Sequence, residues 1–146
     1  MANLERAIAL AALAHEGQVD KTGAPYILHP LRMMMRLDSI EAKIVAILHD
    51  VVEDTEWTLD GLSTEGFSDD VLFALDCVTK RDGEDYMDFV SRAALHPVAR
   101  QVKLADLEDN MNILRIGGEL APKDLDRLAK YHRAWRMLQE VKRAAE

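Results

Sequence analysis

Cysteine is almost missing from this sequence. Cys77 stands alone among 146 residues, so no intrachain disulfide can form, and a reducing compartment, the cytoplasm, is the expected setting. Positive charge is short as well. Eighteen Lys and Arg against 26 Asp and Glu leave a formal net charge of −8, which argues against a nucleic-acid backbone or an anionic membrane as principal partner. Any phosphorylated ligand would need a local source of positive charge. Long apolar runs are lacking too. The stretch Ile8 to Ala14 is apolar but brief, with Glu5 beside Arg6 ahead of it, which makes a poor signal peptide. Nothing approaches the roughly 18 to 20 apolar residues of a membrane span. Gly and Pro number only 7 and 4, and there is no linker, low-complexity segment or internal repeat. Residues 1–146 therefore read as one globular domain, and a hydrophobic content of 49% can fill its core.

What is present is helical periodicity. Leu4, Ile8, Ala11 and His15 fall on one face and predict a helix over Asn3 to Glu16, ended by Gly17. A turn-rich stretch follows from Gln18, and Pro30 then sits just inside a short helix with His29 at the junction before it. Asp38 and Glu41 have capping-box spacing, and the apolar run Ile44 to Leu48 reads as a central helix buried on most sides. Further helices are expected from Ser68, from Asp85 to Leu95, from Pro97 through Asp106, and from Pro122, the last with Leu125, Leu128, Trp135, Leu138 and Val141 inward. Of the three adjacent methionines Met33, Met34 and Met35, at least one must face the core. No segment alternates with period two, so the fold class is all-α.

The chemistry gathers at His49-Asp50-Val51-Val52-Glu53-Asp54, where the most apolar helix runs into an imidazole and three acids. Burying such charges without partners is costly, so a cation or solvent must compensate them. Helical spacing puts Glu53 one turn beyond His49 and Asp54 one turn beyond Asp50. If His49 and Asp50 hold a metal, Glu53 and Asp54 stand where a water could be oriented or deprotonated. More ligands are needed, and His29 and Asp106 are the best remaining candidates. The mixed donor set suits Mn²⁺, Fe²⁺ or Zn²⁺, its carboxylates leaning toward harder ions. His15 is within reach of this region but reads first as a packed structural histidine. His96 and His132 read as surface residues, and Tyr131 and Trp135, four apart on the last helix, as core.

Five strings together carry a resemblance: Ala14-His-Glu-Gly-Gln18, Lys21-Thr-Gly-Ala-Pro-Tyr-Ile-Leu-His29-Pro30, Leu48-His-Asp-Val-Val-Glu-Asp-Thr55, Val78-Thr-Lys80 and Lys103-Leu-Ala-Asp106. In this order they resemble the HD-domain hydrolase of the Rel/Spo family. The resemblance implies a single HD-domain helical bundle around a metal site. It implies removal of the 3′-pyrophosphate from guanosine tetra- or pentaphosphate with one divalent ion, Mn²⁺. It further implies that His29, His49, Asp50 and Asp106 hold that metal, that Glu53 and Asp54 serve the attacking water and the proton transfers, and that Lys21 and Asn110 contact substrate. Tyr131 would lean over a bound phosphate, as a tyrosine of the last helix does in small members. With no room for the synthetase and regulatory domains of the larger members, the chain resembles a small stand-alone hydrolase.

Two departures stand out. Asp20 replaces the arginine that packs against guanine in the family, so weak discrimination among bases is expected. The family's Asp-Arg-Leu-His-Asn becomes Asp106-Leu-Glu-Asp-Asn110, a second change expected to bear on nucleotide selectivity. The alternatives to alarmone hydrolysis are a phosphatase acting on another nucleotide, such as the 2′-phosphate of NADP(H), and a non-catalytic nucleotide-binding relative. Retention of all four expected metal-ligand residues and of both acids favours the enzyme. The expected partner is a phosphorylated nucleotide, with neither nucleic acid nor membrane.

Overall fold

A computed structural model describes residues 1–146. It contains α1 (Leu4–Ala14), α2 (Leu28–Met35), α3 (Ile40–Leu48), α4 (Val51–Asp54), α5 (Leu59–Thr64), α6 (Asp69–Cys77), α7 (Tyr86–Ala94), α8 (Pro97–Asn110), a 3₁₀ turn (Ile113–Arg115) and α9 (Pro122–Ala145). The one β pairing is an isolated bridge between Val19 and Pro25, so the chain is all-α as its periodicity predicts. No helix is long and apolar enough to cross a membrane.

The central helix is α3, whose Ala42 and Ile44–Leu48 are buried and which packs against α1, α2, α6 and α8. Residues apolar on every side suit a position enclosed on every side. A second apolar cluster joins Val90, Ala94, Leu104, Leu107, Ala134 and Leu138 of α7, α8 and α9. Helix α8 lies between the two, giving Ala99, Val102 and Ala105 to the first and Leu104 and Leu107 to the second. Met33 is fully buried and Met35 largely exposed, as their adjacency on a helix requires.

Several ends differ from the sequence reading. Asn3 caps α1 as expected, accepting from Arg6 N, and Gly17 then turns the chain at φ +83°. Helix α2 starts at Leu28, so His29 lies in its first turn and not at a junction before it. Ser39, in extended conformation, caps α3 by accepting from Ala42 N at 3.1 Å. The cap therefore falls one residue beyond Asp38, and the Asp38–Glu41 capping box does not form. His96 is no idle surface residue, because its Nδ1 accepts from Ala99 N at 3.2 Å and caps α8 ahead of Pro97. In α9 Ala134 and Leu138 are buried, but Leu125 is exposed. The first turns of α9 pass over a cavity and leave the core to the later ones.

Helix α3 also stops sooner than its pattern suggests. The chain turns at His49 and Asp50, the latter at φ −104° and ψ 0°, and α4 begins afresh. Glu53 and Asp54 thus occupy the first turn of a new helix instead of the last turn of an old one.

Candidate metal centre and its cavity

Three elements aim side chains at one point: α2 supplies His29, the end of α3 supplies His49 and Asp50, and α8 supplies Asp106. His29 Nε2 lies 2.9 Å from Asp106 Oδ1, and His49 Nε2 lies 3.0 Å from Asp50 Oδ2 and 3.7 Å from Asp106 Oδ1. Donor atoms of His29, His49 and Asp50 all fall within 4.8 Å of one another. His29, His49 and Asp106 are buried.

The hydrogen bonds behind these rings decide what faces inward. His49 Nδ1 donates to the Ala46 carbonyl at 2.7 Å, which turns Nε2 into the cluster, buried and without a well-aligned hydrogen-bond partner. His29 Nδ1 is 2.6 Å from Asp109 Oδ2 and its Nε2 is 2.9 Å from Asp106 Oδ1; both carboxylates can only accept, so the metal-free ring carries a proton on each nitrogen, and a metal would take the place of the one on Nε2. Two imidazole nitrogens and two carboxylates therefore converge on one point, an arrangement whose negative charge either protons or a cation must balance. Separations of 2.9, 3.0 and 3.7 Å suit donors around an ion with bonds of about 2.0 to 2.2 Å. The residues fit a divalent metal.

The electrostatics tell the same story. Burial pushes the His49 imidazole toward neutrality, yet Asp50 and Asp106 outweigh it and raise its pKa well above the ordinary value. His29 rises likewise, burial being overcome by the hydrogen bonds to Asp106 and Asp109. Asp106 moves oppositely, since against its burial the Lys103 ammonium, His29 and His49 hold it well below the carboxylate range. Positive charge is what this pocket demands, from protons or from a metal.

Next to the cluster lies a cavity of about 960 Å³, lined among others by Lys21, Tyr26, Glu53, Asp54, Asn110 and Tyr131. Such a volume is ample for a nucleotide. Asp50, Glu53 and Asp54 bring carboxylate oxygens within 4.8 Å of one another. Burial first, then the charge of Asp50, raises the pKa of Asp54. Burial is also the leading cause for Glu53. Glu53 Oε1 accepts from Lys80 N at 2.9 Å. Asn110 Nδ2 donates to Asp106 Oδ1 at 3.0 Å. Around the same cavity stand Lys21, Lys80, Lys103, Arg115, Arg127 and Lys130, the local cations that a net charge of −8 made necessary. Burial and neighbouring Arg127 draw the Lys21 pKa down.

The sequence reading assigned no part to Tyr26, Lys103, Arg32 or Arg115, and gave Asp109 a part only in nucleotide selectivity. Tyr26 donates its hydroxyl to Asp50 Oδ2, and Lys103 Nζ lies 2.7 Å from Asp106 Oδ2. The change at Leu107 and Asp109 does not touch the cavity, contrary to the expectation of altered nucleotide contacts. Leu107 belongs to the apolar cluster of α7, α8 and α9, and Asp109 is buried behind His29. Tyr131 packs against that cluster, as expected, and also lines the cavity, while Trp135 packs against the same cluster and donates to Glu108 Oε2 at 2.9 Å. His15 is buried away from the cavity wall, its Nδ1 2.8 Å from Gln18 Oε1.

No family model matches the chain, but individual relatives do. A GTP pyrophosphokinase of Streptomyces coelicolor is 38% identical over 125 residues, 77% of this chain and 15% of the relative. A guanosine-3′,5′-bis(diphosphate) 3′-pyrophosphohydrolase of Aquifex aeolicus is 33% identical over 123 residues, 76% of this chain and 18% of the relative. The bifunctional (p)ppGpp synthase/hydrolase SpoT of Escherichia coli is 32% identical over 143 residues, 87% of this chain and 20% of the relative. The chain thus spans a fifth or less of the length of these proteins. Among solved structures, a metazoan ortholog of SpoT described as hydrolysing ppGpp superposes with a TM-score of 0.72 at 22% identity, covering 99% of this chain and 96% of that one. The fold is shared over the full length of both.

Proposed function

We propose that the chain is a member of the Rel/Spo family, on its 32 to 38% identity to these relatives, and that it is a metal-dependent phosphohydrolase that removes the 3′-pyrophosphate of guanosine 3′,5′-bis(diphosphate). Residues 1–146 would act as one HD-type domain. Relatives of the family bear names for synthesis as well as hydrolysis. What favours hydrolysis here is one observation: His29, His49, Asp50 and Asp106 converge at the floor of a nucleotide-sized cavity, with Glu53 and Asp54 on the adjacent turn.

In this reading His29, His49, Asp50 and Asp106 hold the metal. Manganese is the favoured ion on the resemblance and on the mixed nitrogen and carboxylate donors. When bound, the ion lowers the pKa of a water and screens phosphate charge. Glu53, with Oε1 engaged by Lys80 N, offers its other oxygen to orient that water and take its proton. Asp54, whose carboxyl is kept more basic than usual by burial and Asp50, positions the water or delivers a proton to the leaving oxygen. Lys21, Asn110 and Tyr131 grip sugar and phosphate from the cavity wall, with the surrounding lysines and arginines countering the polyanion. A reducing, cytoplasmic setting accords with such a substrate.

The test is product release over a panel of nucleotides with Mn²⁺ and after chelation. Pyrophosphate from the guanosine 3′,5′-bis(diphosphate), lost with chelator and restored by Mn²⁺, is the expected result. Release only of orthophosphate, from a 2′-phosphorylated dinucleotide, would move the assignment to a different phosphatase. No release from any nucleotide despite bound metal would make the chain a binding protein.

A further inference from the structure

The least expected feature of the site is a buried acid with no access to the cavity. Asp109 is 1% exposed at its side chain and lies on α8, three residues beyond Asp106. Helix α2 opposes it with His29 and, three residues on, Arg32. The spacing on both helices lets the two pairs meet across the interface. His29 reaches Asp106 through Nε2 at 2.9 Å and Asp109 through Nδ1 at 2.6 Å, while Arg32 closes on Asp109 through Nε and Nη2 at 2.8 and 3.0 Å. Arg115 completes the enclosure. Its Nη2 donates to the Asp109 carbonyl at 2.8 Å, and its guanidinium lies 3.4 Å from Oδ1.

We infer that Asp109 is the positioning residue of the metal centre, fixing the ring of His29 so that Nε2, not Nδ1, is presented to the ion. This rests on the metal site of the preceding section. Asp109 has no proton to give and is shut away from the ion, so when Nε2 yields its proton to a metal, His29 keeps the other on Nδ1. The paired guanidinium fork holds the carboxylate in one orientation, and the imidazole plane follows it. A carboxylate behind a ligating imidazole also makes that imidazole a stronger ligand. His49 has only a backbone carbonyl behind it, so the two histidines are unequal. His29 is the more firmly oriented of the pair.

Asp109→Asn tests this. The substitution preserves size, removes the charge, and offers an amide N–H that can turn His29 to the wrong tautomer. Mn²⁺ affinity, titrated calorimetrically on the full chain, should fall by about 10- to 100-fold. Turnover should be largely rescued at saturating Mn²⁺. Unchanged affinity in folded Asp109→Asn overturns the inference while leaving the metal site standing, whereas absence of Mn²⁺ binding to the wild type removes both. A second measurement needs no variant. In Zn²⁺-loaded wild type the imidazole ¹⁵N shifts of His29 should show a protonated Nδ1 and a metal on Nε2. Metallation at Nδ1 would refute the assignment even if Asp109→Asn failed to fold.

Discussion

Lys103 Nζ and Asp106 Oδ2 form a buried ion pair at 2.7 Å, three residues apart on α8. The ammonium also lies 4.8 Å from the centre of the Phe89 ring. Lys103 therefore takes one oxygen of Asp106 and leaves the other to His29, His49 and Asn110. Breaking a buried pair by removing one partner strands the other charge. Lys103→Met should cost about 3 to 5 kcal/mol in the metal-free protein. Because a metal binds the folded state and compensates the same carboxylate, the loss should shrink in Mn²⁺. Urea unfolding with chelator and with Mn²⁺ measures both values. Equal losses in the two conditions would mean that the ion does not meet Asp106.

Glu53→Gln separates chemistry from structure. Its amide oxygen can still accept from Lys80 N, so the contact between α4 and the loop after α6 survives. Only basicity is lost. The expected result is a fall in kcat of about 100-fold or more with Mn²⁺ affinity unchanged. His49→Ala should instead lose the metal. Wild-type turnover in Glu53→Gln would transfer the proton-accepting role to Asp54, and Asp54→Asn would then carry the loss.

How much of this was legible follows from which signals are local. The apolar stretch Ile44–Leu48 announced the central helix because enclosure on all sides leaves no polar face to read. The group His49, Asp50, Glu53 and Asp54 showed itself by conflict with that helix. The break at His49 and Asp50 was hidden, since Val51-Val52-Glu53-Asp54 contains neither Gly nor Pro. Its anchors, Tyr26 on Asp50 and Asp106 beside His49, come from elsewhere in the chain. Asp109 was hidden for the same reason: His29, Arg32 and Arg115 approach it from two other elements, and His29 is 80 residues away. The usable signal was that Asp106 and Asp109 share one face of a helix whose neighbours are apolar. Leu125 misled because apolar spacing does not reveal that the first turns of α9 cover a cavity, lined there by Asp124, Arg127 and Leu128, and leave Leu125 exposed.

The rim of the cavity carries a pH-dependent contact. Glu84 receives Arg92 through Nε at 2.6 Å and Nη2 at 2.8 Å, while Arg92 also donates to the carbonyls of Asp76 and Thr79. The pair ties α7 to the end of α6. Hydrogen bonding to Arg92 depresses the Glu84 pKa from the ordinary 4.5 to about 2. A depressed acid pKa stabilises the fold above the unfolded value and loses that contribution as pH falls through the folded one. Wild type should therefore melt above Glu84→Gln by a constant margin near neutrality, and the margin should narrow from about pH 4.5 downward. Thermal melts from about pH 7 to about pH 3 provide the comparison. A margin independent of pH would show that charge at Glu84 contributes nothing.

Asp20 occupies the position where the family carries its base-stacking arginine, and the structure shows what the carboxylate does there. Its Oδ1 accepts from Thr22 N at 2.8 Å, Thr22 Oγ1 at 2.7 Å and Ala24 N at 3.1 Å, which folds the loop bearing Lys21. An arginine cannot supply those acceptors, so simple restoration of the family residue should not restore base stacking. Asp20→Asn, which keeps an oxygen in place, should leave KM within about twofold for guanine and adenine versions of one substrate. Asp20→Arg should raise both, by about fivefold for each ~1 kcal/mol of loop ordering lost, because Lys21 is displaced from phosphates common to all nucleotides. In the wild type the two bases should differ by less than about tenfold, since Asp offers no planar cation to a purine. A selective fall in the guanine KM of Asp20→Arg would show that the loop tolerates the substitution and that this position still faces the base.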